Sequence, residues 1–293
     1  MGLGPMLLLA LMEGLVLAAV LALAASGLSL VFGVMRVVNV AHGAFFMLGA
    51  VAAYVVAAWL GGPRWAGFLA ALAMAPLAVA LLAMLADILI LRRIAHAPEA
   101  TIVATIGLMY MIEQGTLTLF GPDARAVAAP FDFRLQLPWF GYSGYKLFVV
   151  LAAVVLLLAL WWLMARSKAG LVMRATQLDP DVARAFGINV DRVYSGVFAF
   201  GAALAAIAGV LIVPIQQAHY LMGASTLLLS FIVVIIGGLG SLPGTLLAAL
   251  VIGLSDGIIS MFWSPTLAKI IATLLVTLVL VFRPQGLFGA SRA

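Results

Sequence analysis

Apolar runs of about the twenty residues that a hydrocarbon core requires follow one another along almost the whole of this chain. They fall at 7–32, 41–60, 66–91, 101–120, 146–165, 193–213, 226–240, 244–262 and 267–282. The seventh and ninth are short enough to be half-spans, so the pattern predicts eight or nine crossings. The first is long enough to tilt or to contain a break. These runs predict an all-α fold, a polytopic transmembrane helical bundle with broken helices, in one transmembrane domain over residues 1–293.

The interruptions carry most of the remaining information. The longest strongly polar one, RSKAGLVMRATQLDPDVARAFGINVDR at 166–192, joins two apolar spans. Within it Ala175, Asp179, Ala183 and Gly187 recur every fourth residue and predict one face of a short helix. Asp179 is suited to cap that helix with Pro180 at its first position, and Gly187 to end it. The loop 121–145 is rich in Pro, Gly and aromatics. Its Trp139, Tyr142 and Tyr145 suit an interfacial aromatic belt, and the loop could equally receive an external partner.

Two shorter breaks, RVVNVAHG at 36–43 and GGLGSLPG at 237–244, place flexible or polar backbone next to a helix start, one in each half of the chain. Irregular backbone is tolerated at membrane depth only where it lines a cavity, so these breaks nominate Asn39, His42, Gly43, Gly237 and Gly240 for a translocation path. The alternative is a pair of ordinary interfacial turns. Small residues at every fourth position, Gly14, Ala18, Ala22 and Ser26 in one span and Gly201, Ala205 and Gly209 in another, suit close helix packing.

Composition narrows the class. With 66% hydrophobic and 9% charged residues and a mean hydropathy of +1.27, the chain is no ordinary soluble domain. Its pI near 9.9 reflects membrane anchoring rather than nucleic-acid binding. Arg36, Arg92 and Arg93, the 166–192 loop, and Arg283 and Arg292 hold ten of the basic residues in alternate connections, against five at Arg64, Arg125, Arg134, Lys146 and Lys269. That asymmetry puts the 166–192 loop in the cytoplasm and the 121–145 loop and the N-terminus outside. The first segment is read as a span, because Glu13 interrupts it, no positive side chain precedes it within residues 1–5, and it runs on to Phe32.

There is no Cys, and His42, His96 and His219 stand too far apart for a metal-ligand spacing. GGLGSLPG lacks the Gly-Lys-Ser/Thr ending of a phosphate loop, and no nucleophile–base motif supports an intramembrane enzyme. Glu13, Asp87, Glu113 and Asp256 lie in or near apolar spans, where a charge is costly. Asp87, about a turn before Arg92, reads as interfacial. Glu113 and Asp256 suit either a wet cavity on the path or a hydrogen bond between helices.

Four blocks carry a family resemblance: GLSLVFGVMRVVNVAHGAFFMLGA (27–50), RATQLDPDVARAFGINV (174–190), GGLGSLPGTLLAALVIG (237–253) and RPQGLFG (283–289). In order and spacing the chain resembles the branched-chain amino acid ABC transporter permeases. The resemblance implies a multi-pass permease of the bacterial inner membrane that forms a heterodimer with a second, related permease. Two cytoplasmic ABC ATPases would drive the pair, and a periplasmic binding protein would deliver leucine, isoleucine or valine. ATP and Mg would then reside on the ATPases, with no cofactor in this chain. It further implies that Ala175–Gly187 is the coupling helix, docking through Ala183, Phe186 and Gly187, with Arg174 and Arg184 paired to acids on the ATPase. Relatives that carry urea, short amides or other amino acids fit the same resemblance. An ion-coupled secondary transporter using Glu113 or Asp256 is the competing class.

Overall fold

The computed structural model describes residues 2–283 and 285–288, so Arg292, and Pro284 and Gly289 of the last family block, lie outside the described residues. Its spanning helices are α1 (Leu3–Met35), α2 (His42–Leu60), α3 (Arg64–Leu89), α4 (Pro98–Phe120), α5 (Gly144–Arg166), α8 (Val190–Gln216), α10 (Leu242–Phe262) and α11 (Pro265–Phe282). Eight helices are thus long and apolar enough to cross a membrane, with α3 running on into a 3-10 turn at Leu91–Ile94. The short seventh run becomes α9 (Met222–Gly237), 16 residues long, whereas the ninth reaches 18 residues as α11. Their starts follow the local chemistry: Ser241 and Ser264 cap α10 and α11, each ahead of a proline in the first turn.

The helices form two related halves. In each, a long helix ends on a residue with left-handed backbone, Arg36 (φ 56°) after α1 and Gln217 (φ 64°) after α8. An irregular stretch follows, then a short helix opening on Gly-Ala, Gly43-Ala44 in α2 and Gly223-Ala224 in α9. The packing repeats as well: α3 lies along α8 as α10 lies along α1, and α2 packs on α8 as α9 packs on α1. The halves are inverted. Arg36 ends α1 beside Gln177, whereas the stretch after α8 pairs Ala218 with Arg125 at the other end of the bundle.

The core lies where α1 and α8 cross and contact α2, α3 and α10, and glycines set the spacing. A Cβ at Gly27 would stand 2.5 Å from the Gly201 carbonyl oxygen, and one at Gly14 2.7 Å from that of Gly253. Only hydrogen fits there, so the helix backbones touch directly. The faces of α3, α5 and α11 turned away from this core expose Leu77, Leu81, Trp161, Trp162 and Leu278, as a lipid boundary requires.

The two sets of connections separated by charge gather at opposite ends. Arg36 donates to the Gln177 and Leu178 carbonyls, and Arg92 to that of Asp191, at one end. At the other, Arg64 pairs with Asp132 and Lys146 with Glu13 (2.6 Å).

The outer loop departs from expectation. It folds a hairpin, β1 (Arg134–Gln136) against β2 (Gly141–Ser143), with Leu135 opposite Tyr142. Trp139 is exposed, but Tyr142 and Tyr145 are buried rather than set in an interfacial belt. The reason is a partner for one phenol and an aromatic nest for its ring: Tyr145 Oη donates to the Leu211 carbonyl at 2.7 Å, amid Phe68, Phe131 and Phe148.

Candidate translocation path and coupling segment

The polar segment between α5 and α8 folds as two helices, not one. Ser167 caps α6 (Lys168–Leu178), accepting from the Gly170 N–H at 2.9 Å. Asp179 then adopts extended backbone (φ −152°, ψ 107°), as a residue before proline is pressed to do. Its Oδ1 accepts from the Asp181 and Val182 N–H groups at 2.9 and 3.0 Å, starting α7 (Pro180–Ala185). Gly187 supplies the stop with φ 83°, and Asn189 caps α8 two residues later.

This division corrects the single-face reading: Ala175 belongs to α6 and cannot share a face with Ala183 of α7. Ala183 is buried, while Leu178, Val182 and Phe186 are exposed, the outer two by more than four-fifths (81% and 83%). The outward apolar residues therefore stand one position before the series named from sequence, and they too recur every fourth residue. Both nominated arginines are engaged within the chain. Arg174 donates to the Met164 carbonyl, and half-exposed Arg184 pairs with Asp181 at 3.0 Å and Asp191 at 3.9 Å.

The stretch after Arg36 turns back along α1. By His42 it has returned to the level of Ala24, twelve residues or about 18 Å of helix before Arg36. His42 Nε2–H donates to the Ala24 carbonyl at 2.8 Å, and the Val40 N–H donates to Thr105 Oγ1 at 3.2 Å. Asn39 is wholly buried, and among the described residues neither its amide nitrogen nor its oxygen has a partner; His42 Nδ1 lacks one too. Gly43 meets the start of the other short helix, where a Cβ would stand 2.5 Å from the Gly223 carbonyl oxygen. Two helices thus begin against each other beside buried polar groups that have no partner among the described residues.

Gly237 and Gly240 sit elsewhere, in the α9–α10 turn. Gly240, at φ 80°, rests against Gly33 near the end of α1, with the Gln177 amide beside both. The counterpart of the 36–41 break is instead the 217–221 stretch, where the Met222 N–H donates to the His219 carbonyl as the His42 N–H does to that of Asn39. Sequence reasoning passed over it, although His-Gly-Ala at 42–44 and Met-Gly-Ala at 222–224 mark the match.

The membrane carboxylates part company. Glu113 is buried on the inward stripe of α4 with Thr101, Thr105 and Thr116, apart from the lining of the cavity that Asp256 borders. Asp256 lines a cavity of about 420 Å³ at the end away from α7, together with Glu13, Gln216, Thr226, Ser260 and Lys269. The close approach of Gly257 to Ala10 and Gly14 brings Asp256 and Glu13 to its rim. Ser260 Oγ donates to Asp256 Oδ2 at 3.3 Å, and Lys146 offsets Glu13. Burial, and then the Glu13 charge, push the nearby Tyr142 phenol well above its ordinary range, so it stays neutral. Phe46, one turn beyond His42, closes the cavity toward the break.

A bundle with broken inverted helices, a two-helix polar segment at one end and a charged cavity at the other is the architecture of a permease. Curated relatives agree. LivH of Escherichia coli K12, a high-affinity branched-chain amino acid transport system permease protein, is 28% identical over 301 aligned positions covering 94% of each chain. BraD of Pseudomonas aeruginosa, described in the same words, is 28% identical over 303 positions, 95% of this chain and 94% of its own. A probable LivH of Methanocaldococcus jannaschii is 27% identical over 174 positions, about half of each chain (57% and 54%). No solved structure matches. The family model for the permease component of branched-chain amino acid transport systems matches residues 10–280, and the chain, a multi-pass membrane permease, belongs to that family.

Proposed function

We propose that this chain is the permease subunit of an ATP-driven importer for branched-chain amino acids in the bacterial inner membrane. It forms the path with a second, related permease, receives substrate from a periplasmic binding protein, and is driven by two cytoplasmic ATPases that carry the ATP and Mg. One observation carries the reading. Gln177 at the end of α6 is bonded through its carbonyl to Arg36 and lies, through its amide, beside the Gly33–Gly240 contact. A push on α6 and α7 therefore reaches the ends of both α1 and α10, the helices that wall the cavity and lead to the buried break. A partner can shift such a pore only through contacts that differ between its states, and Leu178, Val182 and Phe186 offer the surface for them.

The test uses the complex that co-purifies with a tagged copy of this chain, reconstituted in vesicles. Leucine uptake is expected to require ATP on the side bearing α7. Phe186→Asp, on an exposed side chain, should abolish uptake while leaving the chain in the membrane. Uptake driven by an ion gradient without ATP would instead identify a secondary transporter, and uptake of urea or short amides in place of leucine would identify the other branch of the importer class.

A further inference from the structure

We propose that the cavity bordered by Asp256, Glu13 and Lys269 is a binding site for a free aliphatic α-amino acid in its zwitterionic form, within the permease itself. The proposal rests on the importer reading and names the ligand chemistry of its outer vestibule. Three features of the cavity point the same way.

The first is charge. Asp256 and Lys269 line it from neighbouring helices, and the third charge, Glu13, is already offset by Lys146 at 2.6 Å. The site is neutral overall but charge-separated, which is the description of an amino acid zwitterion. A urea or amide carries no charge to meet either group, and a fatty acid would bring a second carboxylate toward Asp256.

The second is unspent hydrogen-bonding capacity. A carboxylate accepts about four hydrogen bonds, whereas Asp256 receives one, from Ser260, among the described residues. An ammonium group fills the deficit. Lys269, an exposed residue on the cavity lining, can reach the carboxylate, and Gln216 and Thr226 border the same space.

The third is the wall. Leu17, Val20, Leu21, Phe46, Ile212 and Ile215 line the same cavity, an aliphatic surface with one aromatic side chain and no charge. The volume of about 420 Å³ falls at the lower end of small-molecule sites, roughly 300–1,000 Å³, and suits a branched four-carbon side chain with its head group. Phe46 stands one turn from His42, so a molecule held here lies directly above the buried break. Asp256 receives the ammonium, Lys269 the carboxylate, and the wall sorts the side chain by size.

Uptake by the reconstituted native complex tests this with leucine, alanine, leucinamide, which lacks the carboxylate, and 4-methylpentanoate, which lacks the ammonium. Asp256→Asn and Lys269→Gln should each raise the KM for leucine about 10- to 100-fold, the worth of a charge-assisted hydrogen bond. Asp256→Glu should recover much of the KM. Asp256→Asn should also narrow the preference for leucine over 4-methylpentanoate, and Lys269→Gln that over leucinamide, which a purely structural role would not do. Ile215→Phe should shift preference from leucine toward alanine. If Asp256→Asn fails to assemble, Lys269→Gln and Ile215→Phe, at positions open to the cavity, carry the same decision. Unchanged KM and preference in these variants, with ATP-driven leucine uptake intact, would overturn the site and leave the importer reading standing. A wild-type complex with no amino acid uptake would remove both.

Discussion

Asp87, without exposed surface at the end of α3, is held from three directions. His96 Nε2–H donates to its Oδ1 at 2.9 Å, Ser195 Oγ donates to its Oδ2 at 2.5 Å, and the Arg92 guanidinium stands 3.9 Å away while donating to Ser195 Oγ at 2.6 Å. The Asp sits between the Ser and the His, so no imidazole stands against the Ser and the group is a tie rather than a triad. It joins α3 to the second turn of α8, above Arg184 of α7. Breaking a buried pair from one side costs far more than removing a neutral donor. Asp87→Asn should therefore destabilise the protein by about 3 kcal/mol and Ser195→Ala by about 1 kcal/mol, an order that denaturation of the two variants in detergent would check. An equal or reversed order would mean that the carboxylate is not held as an ion. The nearness of Arg92, five residues along the chain, was legible, though it suggested an interfacial place for Asp87 rather than a buried tie. The Ser195 link was not, because nothing local announces a partner 108 residues away.

At the scale of elements, apolar run length located every spanning helix, since burial in lipid leaves little else for such a run to do. It could not find the 134–143 hairpin, whose strands of three residues are too short to display a period. Nor could it choose between faces of the 166–192 segment: small residues at 175, 179, 183 and 187 and larger apolar ones at 178, 182 and 186 repeat equally well, and only the turn at Asp179 and the packing behind Ala183 decide. The small-residue stripes hid a similar distinction. Gly27 lies against the Gly201 backbone, whereas nothing stands within 4 Å of a Cβ built on Gly107 of α4. Gly27→Ala should thus force α1 and α8 apart and cost about 1–3 kcal/mol, while Gly107→Ala should stabilise α4 by up to about 1 kcal/mol through helix propensity. Thermal denaturation of both variants in one detergent reads the difference; equal effects would mean that the α1–α8 contact is looser than its geometry.

Across the whole molecule the organising fact is the inversion. Two halves with the same sequence of long helix, break and short helix point opposite ways, so the breaks meet at Gly43 and Gly223 while the long helices end at opposite faces. That arrangement gives each end its own chemistry. Arg36, Arg92, α6 and α7 share one, and the hairpin, Arg125 and the Asp256 cavity share the other. Loop charge predicts that the first end faces the cytoplasm, because cationic residues are retained on that side during insertion. The native sequence has no cysteine, so single thiols report topology without background. Phe186→Cys and Trp139→Cys place them on exposed positions at the two ends. In intact cells a membrane-impermeant maleimide, once the outer membrane is permeabilised, should label Cys at position 139 and not at 186, and inside-out vesicles should give the converse. The reverse pattern would turn α7 away from any ATP-driven partner while leaving the fold and the cavity unchanged, so coupling, rather than family, is what this labelling decides.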